Sequence, residues 1–266
     1  MNFTRVSKSN PCPICKKPDW CRVFADGWVE CMRVQSAKPA KSGGWMWGPS
    51  RSIPPLGTCQ KPTQVTPLPT INATKLIDEW QVATTRTQLA EFAAELGLPV
   101  ASLAAVGAAW AAPHNAWAFP MYDGYANVVG IRLRNEHGKF AVRGSRQGIF
   151  VARQPPTQES CIYVCEGPTD TAASLELGLF AVGRPNCCCG GSKIFIYARR
   201  HQCRRAVIIA DNDKPGLDGA RKVGLEIKLP FAVYVPPAKD LREFVRLGGT
   251  RAMIENTLKG TVWQNG

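Results

Sequence analysis

The sequence predicts an α/β protein with a mainly parallel sheet, preceded by a small β module that carries cysteines. Three observations lead there. Residues 162–165 are a short apolar run that stops at Glu166-Gly167, and a helical pattern opens near Thr169 and Asp170. Residues 206–210 repeat the arrangement, with an apolar run, then Asp211-Asn-Asp213-Lys-Pro-Gly216, then a helical pattern over 217–229. Near the N-terminus stand Cys12, Cys15, Cys21 and Cys31. Alternating strands and helices imply parallel pairing, and such sheets bind ligands at the carboxyl ends of their strands. Glu166, Asp211 and Asp213 are therefore expected to converge.

Carboxylates brought together repel one another and raise each other's pKa unless a cation sits among them. A set of oxygen ligands suits Mg²⁺ or Mn²⁺, the ions of phosphoryl transfer. The plainer alternative is a row of acidic strand ends that only solvate a sheet edge. The chain has 266 residues, 45% of them hydrophobic, with 33 Lys and Arg against 20 Asp and Glu, a formal charge of +13. That size allows one large domain or two smaller ones plus a module, and the charge fits a polyanion partner. No run of eighteen apolar residues occurs, and the opening Met-Asn-Phe-Thr-Arg lacks the apolar stretch of an export signal. A cytoplasmic protein without a membrane span is expected, and its 11 cysteines read as reduced thiols or metal ligands.

Taken in order, residues 1–35 are the cysteine module. Cys12-Pro-Ile-Cys15 with Cys21 and Cys31 has the makings of a four-thiolate Zn²⁺ site, one ion per chain. The chain between the last two thiols looks like a hairpin. A three-residue loop at Ala25-Asp26-Gly27 sets Phe24 against Trp28 and Cys21 opposite Cys31, whereas a two-residue Asp-Gly turn puts Cys31 on the other face. Zinc selects the first register; a redox Cys-x-x-Cys or inert thiols is the alternative. Trp20 is a candidate for stacking on template bases, with Arg5, Lys16, Lys17, Arg22 and Arg33 for phosphates, while Phe24 and Trp28 read as the module's own core.

Residues 36–72 read as a linker, with residues 43–47 as a docking element and Cys59 standing alone. Helical patterns follow over 74–80, 87–96 and 102–110, and in the second of them Leu89, Phe92, Ala93 and Leu96 share a face that Gly97 ends. The period then switches to two, predicting strands over 117–121, 128–134 and 139–143. If Ile131, Leu133, Phe140 and Val142 face the core, then Arg132, Arg134, Lys139 and Arg143 line the opposite face, and Arg146 adds a fifth charge. Such a patch suits a nucleoside triphosphate or a template backbone; a solvated strand face has the same pattern. Residues 181–185 read as a strand and its exit, Cys187 to Cys189 as loop residues, Ser192 as a helix cap, and Arg184 and Lys193 as phosphate ligands. A further strand over 232–235 ends near Lys239-Asp240, and His114, His137 and His201 are isolated surface residues.

Over about residues 160–247 the chain resembles the TOPRIM domain of primases, type IA and II topoisomerases, RecR-type recombination mediators and some nucleases. The resemblance rests on Glu166-Gly-Pro-Thr-Asp170, Asp211-Asn-Asp213-Lys-Pro-Gly216 and Lys239-Asp240-Leu-Arg-Glu243, the last similar to a Lys-Asp-Ala-Asn-Glu segment of phage primases. It implies that Glu166 does acid-base work and that Asp211 and Asp213, with Asp170, hold metal. Asp240 completes the acidic set, and Lys239 joins the candidate nucleotide ligands. Cys12-Pro-Ile-Cys-Lys-Lys-Pro-Asp-Trp-Cys21 looks like the zinc-ribbon opening of phage and mobile-element primases, although the usual second Cys-x-x-Cys is missing. Residues 73–158 resemble the primase half that precedes TOPRIM, and 159–266 is the TOPRIM unit. Together these imply a DnaG-type or phage-like primase that makes RNA primers from ribonucleoside triphosphates on single-stranded DNA. No Gly-x-x-x-x-Gly-Lys-Ser/Thr loop occurs, so a separate replicative helicase is the expected partner. A recombination mediator or a TOPRIM nuclease is the rival reading.

Overall fold

A computed structural model describes residues 3–40, 43–48, 71–154, 160–186 and 189–266, which divide into two compact units, Met1–Gln64 and Val65–Gly266. Among the described residues no helix is long and apolar enough to cross a membrane.

In the first unit β1 (Phe3–Arg5), β2 (Arg22–Phe24), β3 (Val29–Cys31) and β4 (Trp45–Trp47) form one antiparallel sheet in that order. The β2–β3 hairpin has the register that four converging thiols require. Arg22 pairs with Glu30 and Val23 with Val29, and the Phe24 amide donates to the Trp28 carbonyl at 2.8 Å. Gly27 closes the three-residue loop at φ +83°, a conformation that a side chain would strain. The strand β4 corrects the expected linker. Residues 45–47 pair with β3, and the Trp47 indole donates to the Val34 carbonyl at 3.2 Å, so the module extends past residue 35. The rest of the linker at 49–70, including Cys59, lies outside the described residues, as do Cys187 and Cys188.

The second unit opens with α1 (Ala73–Ala83), α2 (Arg86–Leu96) and α3 (Val100–Ala105). Thr85 and Gln88 form a capping box on α2, Gly97 ends it in the left-handed region, and Phe92, Ala93 and Leu96 are buried as their spacing implies. An antiparallel sheet follows, β5 (Ala109–Ala111), β6 (Ala116–Tyr122), β7 (Val128–Asn135) and β8 (Gly138–Ala141). The helix expected over 102–110 stops early. Gly107 turns the chain at φ +76°, and residues 109–111 pair with β6, setting Trp110 edge-on against Trp117. Alanine favours a helix, but here small side chains let a strand pack under α1, with Ala109, Ala111, Ala116 and Ala118 in one core with Ile77 and Trp80. Phe140 sits opposite Leu133 as expected, yet it stays 39% exposed because β8 is an edge strand.

The remaining elements are β9 (Phe150–Val151), β10 (Cys161–Glu166), α4 (Gly167–Glu176), β11 (Ala181–Arg184), α5 (Gly191–Arg200), β12 (Arg205–Ile209), α6 (Lys214–Ile227), β13 (Phe231–Tyr234), α7 (Leu241–Arg246) and α8 (Arg251–Leu258). They build a five-stranded sheet in the order β13-β12-β10-β11-β9, parallel except for β9. Both faces are covered. Cys161, Tyr163 and Cys165 enter one core, and Ile162 and Val164 the other, which is why β10 reads as an unbroken apolar run. Ser192 is not the cap of α5: Gly190 holds that position at φ +107°, where a serine would be strained.

Candidate active site

The parallel strands deliver their acidic ends to one place. Glu166 is the last residue of β10, and Gly167 at φ +80° lets the chain turn at once into α4. One turn on, Asp170 is buried, and its Oδ1 accepts the Arg242 amide at 3.1 Å, tying α4 to α7. Asp211 follows β12. Asp213 caps α6, accepting the Gly216 amide at 2.7 Å, and Asp240 caps α7, accepting the Glu243 amide at 2.7 Å. Each cap engages one carboxylate oxygen and leaves the other available.

Their electrostatics show that the five acids share one field. Burial pushes the Asp170 carboxyl up to about 8, helped by Asp240 and Asp211. Burial likewise pushes Asp211 up to about 6, with Glu166, Asp240 and Asp213 adding to it and Arg184 opposing. Oxygen donors crowded by like charge fit a hard divalent cation, which would remove that repulsion. The acids do not converge as tightly as the thiols do: among the described residues only the four cysteines bring their ligand atoms within 4.8 Å of one another.

The raised pKa has a consequence for stability. Between about pH 4 and 8 folded Asp170 keeps a proton that the unfolded chain releases, so its contribution to stability falls as pH rises through that window. Asp170→Asn keeps the acceptor for the Arg242 amide and loses the charge. In metal-free buffer at pH 8 the variant should melt several degrees above the unmodified protein, at about 2–4 °C per kcal/mol, and the gap should narrow toward pH 5. Differential scanning calorimetry at the two pH values measures it. Equal melting at pH 8 would mean that the carboxyl is not repelled.

The basic candidates separate. Arg132 and Arg134 are half-buried on β7; an Arg132 Nη2 donates to the Pro185 carbonyl at 3.3 Å, and Arg134 lies within the field of Asp170 and Asp240. Lys139, opposite Arg134, and Arg143 are exposed. Arg146 is exposed at the other end of β7, where its amide bonds Val129 and its charge acts on Asp123. Lys193 is half-buried with its carbonyl against Gly124, and Lys239 is exposed with its amide on Glu243. Arg184 corrects its expected role. Its side chain is 0% exposed, paired in register with Glu166 and 3.5 Å from that carboxylate, so it holds Glu166 and is not an open phosphate ligand. Arg242, at the start of α7, escaped the sequence reading; only the fold brings it to the acids.

In the first unit, the thiols of Cys12, Cys15, Cys21 and Cys31 form the cluster that the hairpin register implies. Amides of Met32 and Val34 donate to Cys21 and Cys31 at 3.4 and 3.3 Å. Burial raises the Cys15 thiol, but the Lys17 amide and neighbouring thiols outweigh it and bring it down to about 7, while burial pushes Cys21 up to about 12. That spread is what four thiols produce when they compete for shared negative charge, and a tetrahedral cation ends the competition. Trp20, at φ +70° and 76% exposed, lines a cleft of about 530 Å³ with Arg5, Arg22 and Met32.

No protein-family model matches the chain, and no curated protein sequence does. Solved structures do match. The chain is similar to the DnaG catalytic core, with 16% identity over 71% of this chain and 80% of that one and a TM-score of 0.55. The fold is that of a DnaG-type primase core. A primase of Aquifex aeolicus, comprising zinc-binding and RNA polymerase domains, aligns at 12% identity over 72% of this chain and 60% of its own, with a TM-score of 0.58. The primase fragment of the bacteriophage T7 primase-helicase aligns at 18% identity over 96% of this chain and 99% of its own, with a TM-score of 0.50. The primase fold accounts for the order of the elements: a thiol module, an antiparallel half that carries Arg132 and Arg134, and a parallel half that carries the acids.

Proposed function

We propose that the chain is a DNA primase, which joins ribonucleotides into short primers on single-stranded DNA. The observation that carries this reading is the convergence, within a primase fold, of five carboxylates at the carboxyl edge of the parallel sheet. Asp211, Asp213, Asp170 and Asp240 supply oxygen ligands for Mg²⁺ or Mn²⁺. Such an ion, when bound, lowers the pKa of the attacking hydroxyl and neutralises charge on the phosphates. Glu166, pinned by Arg184, takes the proton of the primer 3′-hydroxyl as the new O–P bond forms and pyrophosphate leaves. The four thiols hold one Zn²⁺, which shapes the cleft where Trp20 stacks on template bases. A DnaG catalytic domain has been solved bound to single-stranded DNA, which supports the same ligand for this chain. Residues 1–35 with β4 then serve template recognition, residues 73–158 and 159–266 form the polymerase, and the work takes place in the cytoplasm beside a separate helicase.

The test is synthesis on single-stranded DNA with ribonucleotides. Short RNA products that need template, nucleotides and added Mg²⁺ are expected. Cleaved template without synthesis would favour the nuclease. Strand annealing or pairing without either reaction would favour the RecR-type mediator, for which the acidic crevice is unnecessary.

The exposed cations have their own expectation. Lys139→Gln with Arg143→Gln should weaken single-stranded DNA binding and flatten its log-log salt dependence by about 0.7 for each phosphate no longer neutralised. Fluorescence anisotropy across a salt series reads it, and an unchanged slope would return these residues to a solvated strand face.

A further inference from the structure

We propose that Arg134 and Arg242 together grip the polyphosphate of the incoming nucleoside triphosphate, and hence the pyrophosphate it leaves. This deepens the polymerase reading and rests on it. Arg134 is half-buried on β7, and among the described residues it has no hydrogen bond or ion pair. Leaving a guanidinium half out of water without a partner costs free energy, and a second guanidinium raises that cost. Arg242 is that second group. Its charge acts on Arg134, which also feels Asp170 and Asp240 from the acidic crevice.

Arg242 is placed by its main chain and left open by its side chain. The amide is fixed on Asp170 at 3.1 Å, whereas the guanidinium stands 3.7 Å from Asp240, too far for a hydrogen bond, with 26% of the side chain exposed. Where the similar phage segment has asparagine, this chain has Arg242, so the charge is a departure from that pattern. Two mutually repelling forks beside carboxylates that fit a divalent cation make a site for an anion that both cation types contact at once. A triphosphate meets that demand, because it concentrates several charges on neighbouring phosphorus atoms and presents oxygens to a planar fork. A template strand spaces single charges along its backbone and meets it less well.

Calorimetric titration of the full-length protein with Mg²⁺ and an ATP analogue bearing a methylene between its α and β phosphorus atoms tests this. Arg242→Asn and Arg134→Met should each weaken the analogue about ten- to hundredfold, and Mg²⁺-pyrophosphate in parallel. Arg242→Lys, which keeps the charge without the fork, should fall between. Affinity for a single-stranded oligonucleotide should change by less than about threefold, and melting temperatures should show each variant folded. Analogue affinity unchanged in folded Arg242→Asn and Arg134→Met overturns the proposal. So does a loss of DNA affinity as large as the loss of analogue affinity, or no analogue binding by the unmodified protein. The titration involves no turnover, so a protein that binds the analogue through these arginines yet makes no primers would sink the primase reading and leave this one standing.

Discussion

Asparagine at Asp211 or at Asp213 is expected to lower primer synthesis at least as far as loss of an acid-base group does, about 10² to 10⁴, while leaving a folded protein that still binds DNA. The two positions isolate charge from structure in different ways. Asp213 caps α6 through the Gly216 amide at 2.7 Å, and asparagine caps a helix about as well as aspartate. Asp213→Asn therefore removes a strong metal oxygen and little else, whereas Asp213→Ala also loses the cap, worth about 1 kcal/mol. Asp211 makes no cap and is already pushed up to about 6 by burial and by Glu166, so its neutral replacement relieves repulsion in the metal-free protein. Glu166→Gln should lose activity on the same scale, because it frees Arg184 from its ion pair and removes the proton acceptor. Product on denaturing gels under limiting Mg²⁺, together with melting temperature, decides the matter. Near-normal synthesis by both aspartate variants would end the metal-dependent assignment and leave the recombination-mediator reading as the better one.

Sequence reasoning reached what local physics determines. Residues 162–165 and 206–210 are apolar on both faces because helices cover both faces of a parallel sheet, and an acidic residue at such a strand's end stands out for that reason. The β2–β3 register was legible because a one-residue slip would turn Cys31 away from its partners, so metal chemistry and turn geometry had a single common solution. What depends on distant partners was not legible. Residues 45–47 sit among Gly, Ser and Lys, and nothing local tells that β3 offers them an edge. Residues 109–111 are alanine-rich and helix-favouring until β6 claims them. An arginine at the end of β11 looks like a phosphate ligand until its register opposite Glu166 buries it, and Arg242 gains its meaning only when α7 is docked on α4.

Serine at Cys31 should release the metal and cut template-dependent initiation by about tenfold or more, while extension of a supplied primer stays within a few-fold of normal. The first unit has little else to hold it. Its buried cluster is Val6, Cys12, Cys21, Val29 and Cys31, so three of its five buried apolar residues are thiols, and the apolar burial they leave is far below what a module of this size needs. A serine hydroxyl is a poor zinc ligand at neutral pH, and it would also deprive the Val34 amide of its sulfur acceptor at 3.3 Å. The second unit keeps separate cores around β5–β8 and on both faces of the parallel sheet, none of which includes a residue of the thiol module. Loss of zinc should therefore unfold the module and spare the polymerase. Released zinc measured with a chromogenic chelator, alongside initiation and extension assays on one template, separates the outcomes. Equal loss of initiation and extension would make the zinc a folding element for the whole protein, and retention of the metal by Cys31→Ser would remove Cys31 from the ligand set.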